Sequence, residues 1–355
     1  MSGRGIQVSV ILPAHNPDEG RLQRVLRALN AQTLAPDGWE LVVIDSASTP
    51  ALKPLGFESR CAPARMRVLR LETPGLGRAR KAGMEAAAGE VLVLVDDDNV
   101  LQPDYLERAI ALFSSNPRLG AAGGKSLPEF TEPPAQWTEE FFPLLALRDL
   151  GDKAQVSDAP TAHEAPSNAA EPHEPPEKGM SGDETRHETR FALCYPSFAP
   201  IGAGMALRAE AARDWAQRKD LEAIPDRRGT NLSSGGDNDI VLCLLAAGWE
   251  IGYFPSLVLT HLIPPQRLEA AYLGRLNRGI QESWMRVLTR HGANRWGPLS
   301  FAGARLRVAR AWLRHKAWRG PAEWVRWQGA AGHFLGRVRS PQASSNAGRA
   351  NAVVG

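Results

Sequence analysis

Apolar positions along this chain of 355 residues fall into two alternating kinds of run. Short, mostly apolar stretches at Val8–Leu12, Glu40–Ile44, Met66–Leu71 and Val91–Val95 read as strands, the last an unbroken run of the kind buried on both faces. Between them apolar residues return at helical spacing. Leu22, Val25, Leu26 and Leu29 mark an amphipathic helix between Glu19 and Gln32. A second helix opens at Gly75-Leu76-Gly77 and runs to about Ala88, with Gly89 in the place of a left-handed cap. A third spans Pro103 to about Phe113, with Pro103 suited to its first turn. Strands alternating with helices predict an α/β fold with a mostly parallel sheet covered on both faces. Further on, Ile240–Ala247 reads as a helix closed by Gly248, Trp249–Phe254 as a strand, and Leu257–Ile263 as an extended segment carrying His261.

The run Val91–Val95 ends abruptly in Asp96, Asp97 and Asp98. Open α/β sheets bind ligands at the carboxyl ends of their strands, and that is where these carboxylates lie. Three adjacent like charges repel, so they need a cation or strong donors; a solvated acidic turn is the plain alternative. The same topology brings Asn16, after the first strand, and Asp45, after the second, to the same edge. A second acidic group, Gly235-Gly236-Asp237-Asn238-Asp239, directly precedes the helix at Ile240. Capping and the helix dipole favour acids there, which accounts for one aspartate better than for two. Upstream, Pro200-Ile201-Gly202-Ala203-Gly204-Met205 is rich in small residues, which permit close approach of backbone to a ligand or a neighbouring element.

Composition changes the picture in two places. Residues 149–190 are rich in Pro, Glu, Ala, Ser, Thr and His and have no hydrophobic period, so they read as a disordered insertion. Its histidines lack the close spacing of a metal site. Between Phe301 and Ser340 nine Lys and Arg stand against Glu323 alone, a net of +8 that leaves the rest of the chain at −5 of its overall +3. Four tryptophans are interleaved there, and Leu306, Ala309 and Leu313 share one helical stripe. That is the pattern of a helix at an anionic membrane surface, or of one packed on the protein with a solvated basic face. The small overall charge implies no nucleic-acid partner. Cys61, Cys194 and Cys243 are odd in number and widely spaced, so they read as reduced thiols. Neither a secretory signal nor a run of the ~18 apolar residues a membrane span needs is legible, which predicts a soluble or peripheral protein.

Taken together these motifs resemble family 2 glycosyltransferases of the GT-A fold. Val8–Pro17 looks like the family's opening strand and nucleotide loop, Leu41–Thr49 like its second strand, and Gly77–Gly83 like its Arg-containing helix start. Asp96-Asp97-Asp98 matches the DxD motif, and Asp237-Asn238-Asp239 the acidic motif that carries the base. The resemblance implies a nucleotide-sugar-binding half at 6–125 and an acceptor-binding half at 126–290, the latter holding the 149–190 insertion. A basic, Trp-rich helical tail at 291–340 and a disordered terminus at 341–355 follow. Residue by residue, it implies that Pro13 and Asn16 line the nucleotide pocket, with Glu19 nearby. Asp45 would accept from the base, Arg80 would place the nucleotide, and Asp96 would contact the ribose. Asp98 would ligate the metal with a contribution from His261. Asp97, counted with the nucleotide site, is the member of the three that the pattern makes most dispensable. Asp237 would be the catalytic base, with Asp239 beside it as the alternative. Pro50 stands where relatives commonly have another Asp, and Gly236 where many have Glu. No Gln-x-x-Arg-Trp run follows, which argues against a processive synthase.

The resemblance implies a Mg²⁺- or Mn²⁺-dependent, inverting transfer from a UDP- or GDP-sugar to a glycan or lipid-linked acceptor. A cytoplasmic protein is expected, with the inner face of the plasma membrane as its peripheral station. Two other readings fit parts of the pattern. A nucleotidyltransferase also uses clustered aspartates, but the Gly-rich triphosphate loop it needs is missing from Pro13–Gly20. A catalytically silent scaffold of a glycan assembly complex would not need acids at every strand end.

Overall fold

A computed structural model describes residues 5–53, 57, 63, 65–157, 195–218, 227 and 232–338. The greater part of the expected insertion, 158–190, and the terminus 341–355 lie outside the described residues. The strands are β1 (Val8–Ala14), β2 (Trp39–Ser46), β3 (Arg65–Leu71), β4 (Val91–Leu94), β5 (Asn99–Leu101), β6 (Leu119–Phe130), β7 (Gln155–Val156), β8 (Ala206–Arg208) and β9 (Glu250–Ile263). The α-helices are α1 (Glu19–Asn30), α2 (Leu76–Ala86), α3 (Tyr105–Ser115), α4 (Ala209–Ala216), α5 (Gly236–Ala246), α6 (Ala270–Arg290), α7 (Phe301–Arg314) and α8 (Pro321–Gly336).

The sheet runs β3-β2-β1-β4-β8-β6-β9-β5, with β7 added along β9. Its first four strands are parallel, as the alternating pattern predicts. Beyond them it is mixed: β8 is antiparallel to both β4 and β6, β6 and β9 are parallel, and β5 is antiparallel to β9. Every residue of β1 and β2 is buried because helices cover both faces. One face packs α1 and α3 through Leu22, Leu26, Tyr105 and Phe113. The other packs α2, α4 and α5 through Met84, Trp215, Ile240 and Leu244. Each such large apolar side chain, fully buried, stabilises the fold by about 1.5–3 kcal/mol. The expected α/β architecture, a largely parallel sheet with helices on both faces, is the one observed.

Several local expectations are corrected. Gly89 is not a left-handed cap: α2 ends at Ala86, and a Cβ at Gly89 would sit 2.6 Å from the backbone N of Ser9. Glycine is needed there so that the chain can pass against β1. Gly248, by contrast, does close its helix at φ +84°. The two segments expected at 249–254 and 257–263 form one strand, β9, whose pairing with β6 shifts register between Gly123 and Lys125. The beginning of the supposed insertion is ordered: Asp149–Gly151 hydrogen-bond with Tyr253, and β7 pairs with β9. The acidic motif lies inside the first turn of α5 and not ahead of it.

Candidate active site

The carboxyl ends of β1, β2 and β4 open into a cleft of about 520 Å³, closed on the far side by α5, α6 and a 3₁₀ segment at Gln136–Leu145. Asn16 leaves β1 in the left-handed region at φ 47°, which asparagine tolerates better than most residues. Its backbone N–H donates to Ser48 Oγ at 3.0 Å, and its Oδ1 accepts from Thr49 N at 2.7 Å. The loops after β1 and β2 are thereby tied together. Pro13 and Asn16 both line the cleft.

Asp45 does not. Its side chain is fully buried and turned into its own loop, where it accepts from Ser48 N at 2.8 Å, Leu52 N at 3.1 Å and Arg70 at 2.6 Å. Burial works against its ionised form, but these donors outweigh it and hold the carboxyl below its usual range. The neighbouring Ser46 faces the cleft instead.

All three strand-end aspartates after β4 face the cleft. Asp98 is the most firmly held. The antiparallel register that sets Asn99 opposite His261 brings His261 Nε2 to 3.3 Å from Asp98 Oδ1. Arg267 approaches Oδ2 at 2.8 Å, and the Asn99 side chain donates at 3.0 Å. Burial opposes ionisation of Asp98, yet His261 and Arg267 overcome it and hold the carboxyl well below the usual range. Asp97 goes the other way: burial, then Asp98 and Asp96, push it up to about 7. The middle aspartate thus lies in the cleft and takes on the repulsion among the three. Asp96 is raised mainly by burial, against the pull of Arg80 at 3.6 Å.

Arg80 is the link to the second acidic motif. Its buried guanidinium lies between Asp96 and Asp237, with which it pairs closely. Asp237 also accepts from Gly202 N at 3.0 Å. A Cβ at position 202 would stand 2.4 Å from Asp237 Oδ2 and 2.5 Å from Arg80 Nη2. Here is the use of the small-residue segment: backbone takes the place of a side chain beneath the carboxylate. Asp239, one turn-face away on α5, does not reach the cleft. It is fully buried and accepts from Trp215 Nε1 at 2.7 Å, Arg218 at 3.0 Å and His291 at 2.8 Å. With Cys243 and His291 it forms the only trio of potential metal ligands close enough to share an ion among the described residues. None of the three lines the cleft, and the carboxylate ties Trp215, Arg218 and His291 to α5, so the trio reads as a structural anchor.

Four carboxylates in the cleft, Asp96, Asp97, Asp98 and Asp237, are met by four guanidiniums, Arg21, Arg80, Arg227 and Arg267. Of these only Arg80 was legible from a motif. Arg267 carries one retrospective signal, its position just after the Pro264-Pro265 that ends β9. Beyond Asp237 the wall turns apolar, with Leu144, Leu145, Leu232, Leu276 and Ile280.

Comparison with known proteins agrees with the motifs. Residues 9–166 match the family described as Glycosyl transferase family 2. Glycosyltransferase AglE of Haloferax volcanii is 31% identical over 127 residues, which is 36% of this chain and 40% of that protein. Succinoglycan biosynthesis protein ExoW of Rhizobium meliloti is 30% identical over 105 residues, 29% of this chain and 33% of that one. The chain spans well under half the length of the curated relatives it matches, from 12% to 40%. The crystal structure of S. aureus TarS 1-349 in complex with UDP overlaps at a TM-score of 0.46 and 15% identity, over 97% of this chain and 92% of that one. So loose a likeness places no residue.

Proposed function

We propose that this chain, whose residues 9–166 are a family 2 glycosyl transferase segment, transfers a sugar from a nucleoside-diphosphate donor to an acceptor hydroxyl, with inversion and with help from a divalent cation. One observation carries the reading: Arg80 couples the donor-side Asp96 to Asp237 across the floor of a single cleft. A metal or diphosphate site and a lone acceptor-side carboxylate, set apart but rigidly connected, are what inverting transfer requires. No covalent nucleophile is needed, because one carboxylate takes the hydroxyl proton during in-line attack.

Asp237 is the base in this reading. Gly202 N–H and Arg80 hold its carboxylate at the cleft, whereas Asp239 anchors α5 to α4 and to the end of α6. The Asp98 carboxylate and the His261 imidazole converge within 3.3 Å. With diphosphate oxygens they make a donor set suited to Mg²⁺ or Mn²⁺. Such an ion, when bound, stabilises the charge that develops on the leaving diphosphate. Arg267, Arg227 and Arg21 bring further positive charge to the same end of the cleft. Asn16 and Ser46 border the nucleotide. Asp45 shapes the loop that carries them, and so supports the base pocket without touching it.

The apolar wall at Leu144, Leu145, Leu232, Leu276 and Ile280 favours a lipid-linked acceptor over a free polysaccharide. The substitution Asp237→Asn tests the assignment. It keeps the shape and removes the base, and should lower transfer by roughly 10²–10⁴-fold with donor binding retained. Transfer at the wild-type rate would exclude Asp237 as the base.

A further inference from the structure

Helix α7 is built inside out. The side it packs against α8 carries small residues and one valine: Ala304 and Ala311 are buried, Val308 is half-buried, and Trp327 Nε1 on α8 reaches the Val308 carbonyl at 3.1 Å. Its two leucines point the other way, Leu313 60% and Leu306 52% exposed, and Phe301 at the first position of the helix is 60% exposed as well. Ala302, Leu306, Ala309 and Leu313 recur every three or four residues, so they form one outward stripe. Lys316 then turns the chain at φ 51°, and Trp318, 55% exposed, returns to pack on Trp312 with ring centroids 4.7 Å apart. The turn lengthens the apolar face beyond the end of the helix. A helix stabilised only through its packed side would put its leucines there.

Exposed cations border this stripe. On a helical wheel Arg305 lies along one margin and Arg310 along the other, while Lys316 and Arg319 follow at the turn. The Arg305 guanidinium stacks over the Phe301 ring at 5.6 Å, which holds the charge at the edge of the apolar surface. No Asp or Glu occurs between Phe301 and Arg319.

We propose that the outer face of α7, together with the Trp312–Trp318 pair, docks on an anionic lipid bilayer, with the leucines and aromatic rings in the headgroup boundary and the arginines on lipid phosphates. Charge complementarity selects this occupant. A second copy meeting the same face would set two acid-free basic stripes against each other. An anionic surface instead attracts every cation while the stripe buries its apolar area. Among the described residues no helix is long and apolar enough to cross a membrane, and the proposed contact is with the bilayer surface. It is independent of the transferase reading, since none of these residues lines the cleft.

The test is flotation of the full chain with vesicles of phosphatidylglycerol and phosphatidylcholine, compared with pure phosphatidylcholine, at low and high salt. Binding should require phosphatidylglycerol and weaken as salt rises. Arg305→Gln with Arg310→Gln should weaken it by about thirtyfold, at about fivefold per cation. Leu306→Gln with Leu313→Gln should weaken it tenfold or more, and both double variants should keep the wild-type melting temperature because the changed side chains are exposed. Failure of the wild type to float with phosphatidylglycerol vesicles would overturn the proposal. So would unchanged binding by the leucine variant. A concentration-dependent dimer abolished by Leu306→Gln/Leu313→Gln, without flotation, would overturn it too and give the face to a second copy.

Discussion

Replacing Gly202 by Ala adds one carbon beneath the proposed base. That Cβ would lie 2.4 Å and 2.5 Å from the two Asp237 oxygens and 2.5 Å from Arg80 Nη2, where ordinary contact begins at 3.4 Å. Something must give by about 1 Å. The Gly202 backbone is held in the segment that leads to β8, and Arg80 is buried, so the Asp237 carboxylate at the cleft edge is the part that yields. A displacement of that size at a reacting group costs on the order of 10²-fold in rate, equivalent to about 2.7 kcal/mol of barrier. Because the carboxylate can swing into open space, the stability loss should fall at the low end of overpacking, about 1 kcal/mol. The assay is release of nucleoside diphosphate under saturating donor, with the melting temperature measured in parallel. A fall in kcat with KM for the donor nearly unchanged is expected. Gly204→Ala is the control: at φ +71°, with Leu259 at 2.5 Å, it should cost stability and leave kcat per folded molecule intact. Wild-type kcat in Gly202→Ala would refute the idea that Asp237 must stay where Gly202 and Arg80 hold it.

Two further outcomes follow from the same geometry. Asp239→Ala removes a fully buried carboxylate from Trp215, Arg218 and His291. It should destabilise by about 3–5 kcal/mol, lowering the midpoint by roughly 10 °C, whereas Asp237→Asn should leave the melting curve near wild type; similar curves for the two would contradict the division between anchor and base. Gly124→Ala places a Cβ 1.9 Å from the Leu257 carbonyl oxygen and 2.6 Å from that of Phe254. It should cost about 3 kcal/mol or more by forcing β6 from β9, and a melting temperature within 2 °C of wild type would show that the strands are less closely apposed.

The contrast between what could be read in advance and what could not has physical causes. The strands β1, β2 and β4 are legible because burial on both faces demands nearly continuous aliphatic runs, and the polar residues at their ends stand out against them. The strand β6 is hidden. Its Gly120, Gly123 and Gly124 have no side chains to register as β-formers, and at Gly120 and Gly124 Trp249 and the backbone at Leu257 come too close for a Cβ. Asp237 and Asp239 differ by two positions and look equivalent in a motif. On a helix, two residues are about 200° apart, so one faces the cleft and the other the core. Asp45 carries a related ambiguity: an acid at a strand end can serve a ligand or its own loop, and in this structure it accepts from Ser48, Leu52 and Arg70. Arg267 and Arg227 reach the cleft from segments with no periodicity to mark them. In the tail, the stripe of Leu306, Ala309 and Leu313 was correct as a pattern. That it faces outward depends on α8 accepting the alanine side, which no periodicity within α7 reveals.

Binding of a nucleotide-sugar in the cleft through a cation held at Asp98 is the central requirement of the proposed activity. Thermal shift of the wild type and of Asp98→Ala with a panel of UDP- and GDP-sugars, each with Mn²⁺ and with EDTA, measures this directly. The prediction is that at least one donor raises the wild-type midpoint only when Mn²⁺ is present, and that the same donor fails to do so in Asp98→Ala. Stabilisation by no diphosphate donor, or an equal shift in EDTA or in Asp98→Ala, would contradict it.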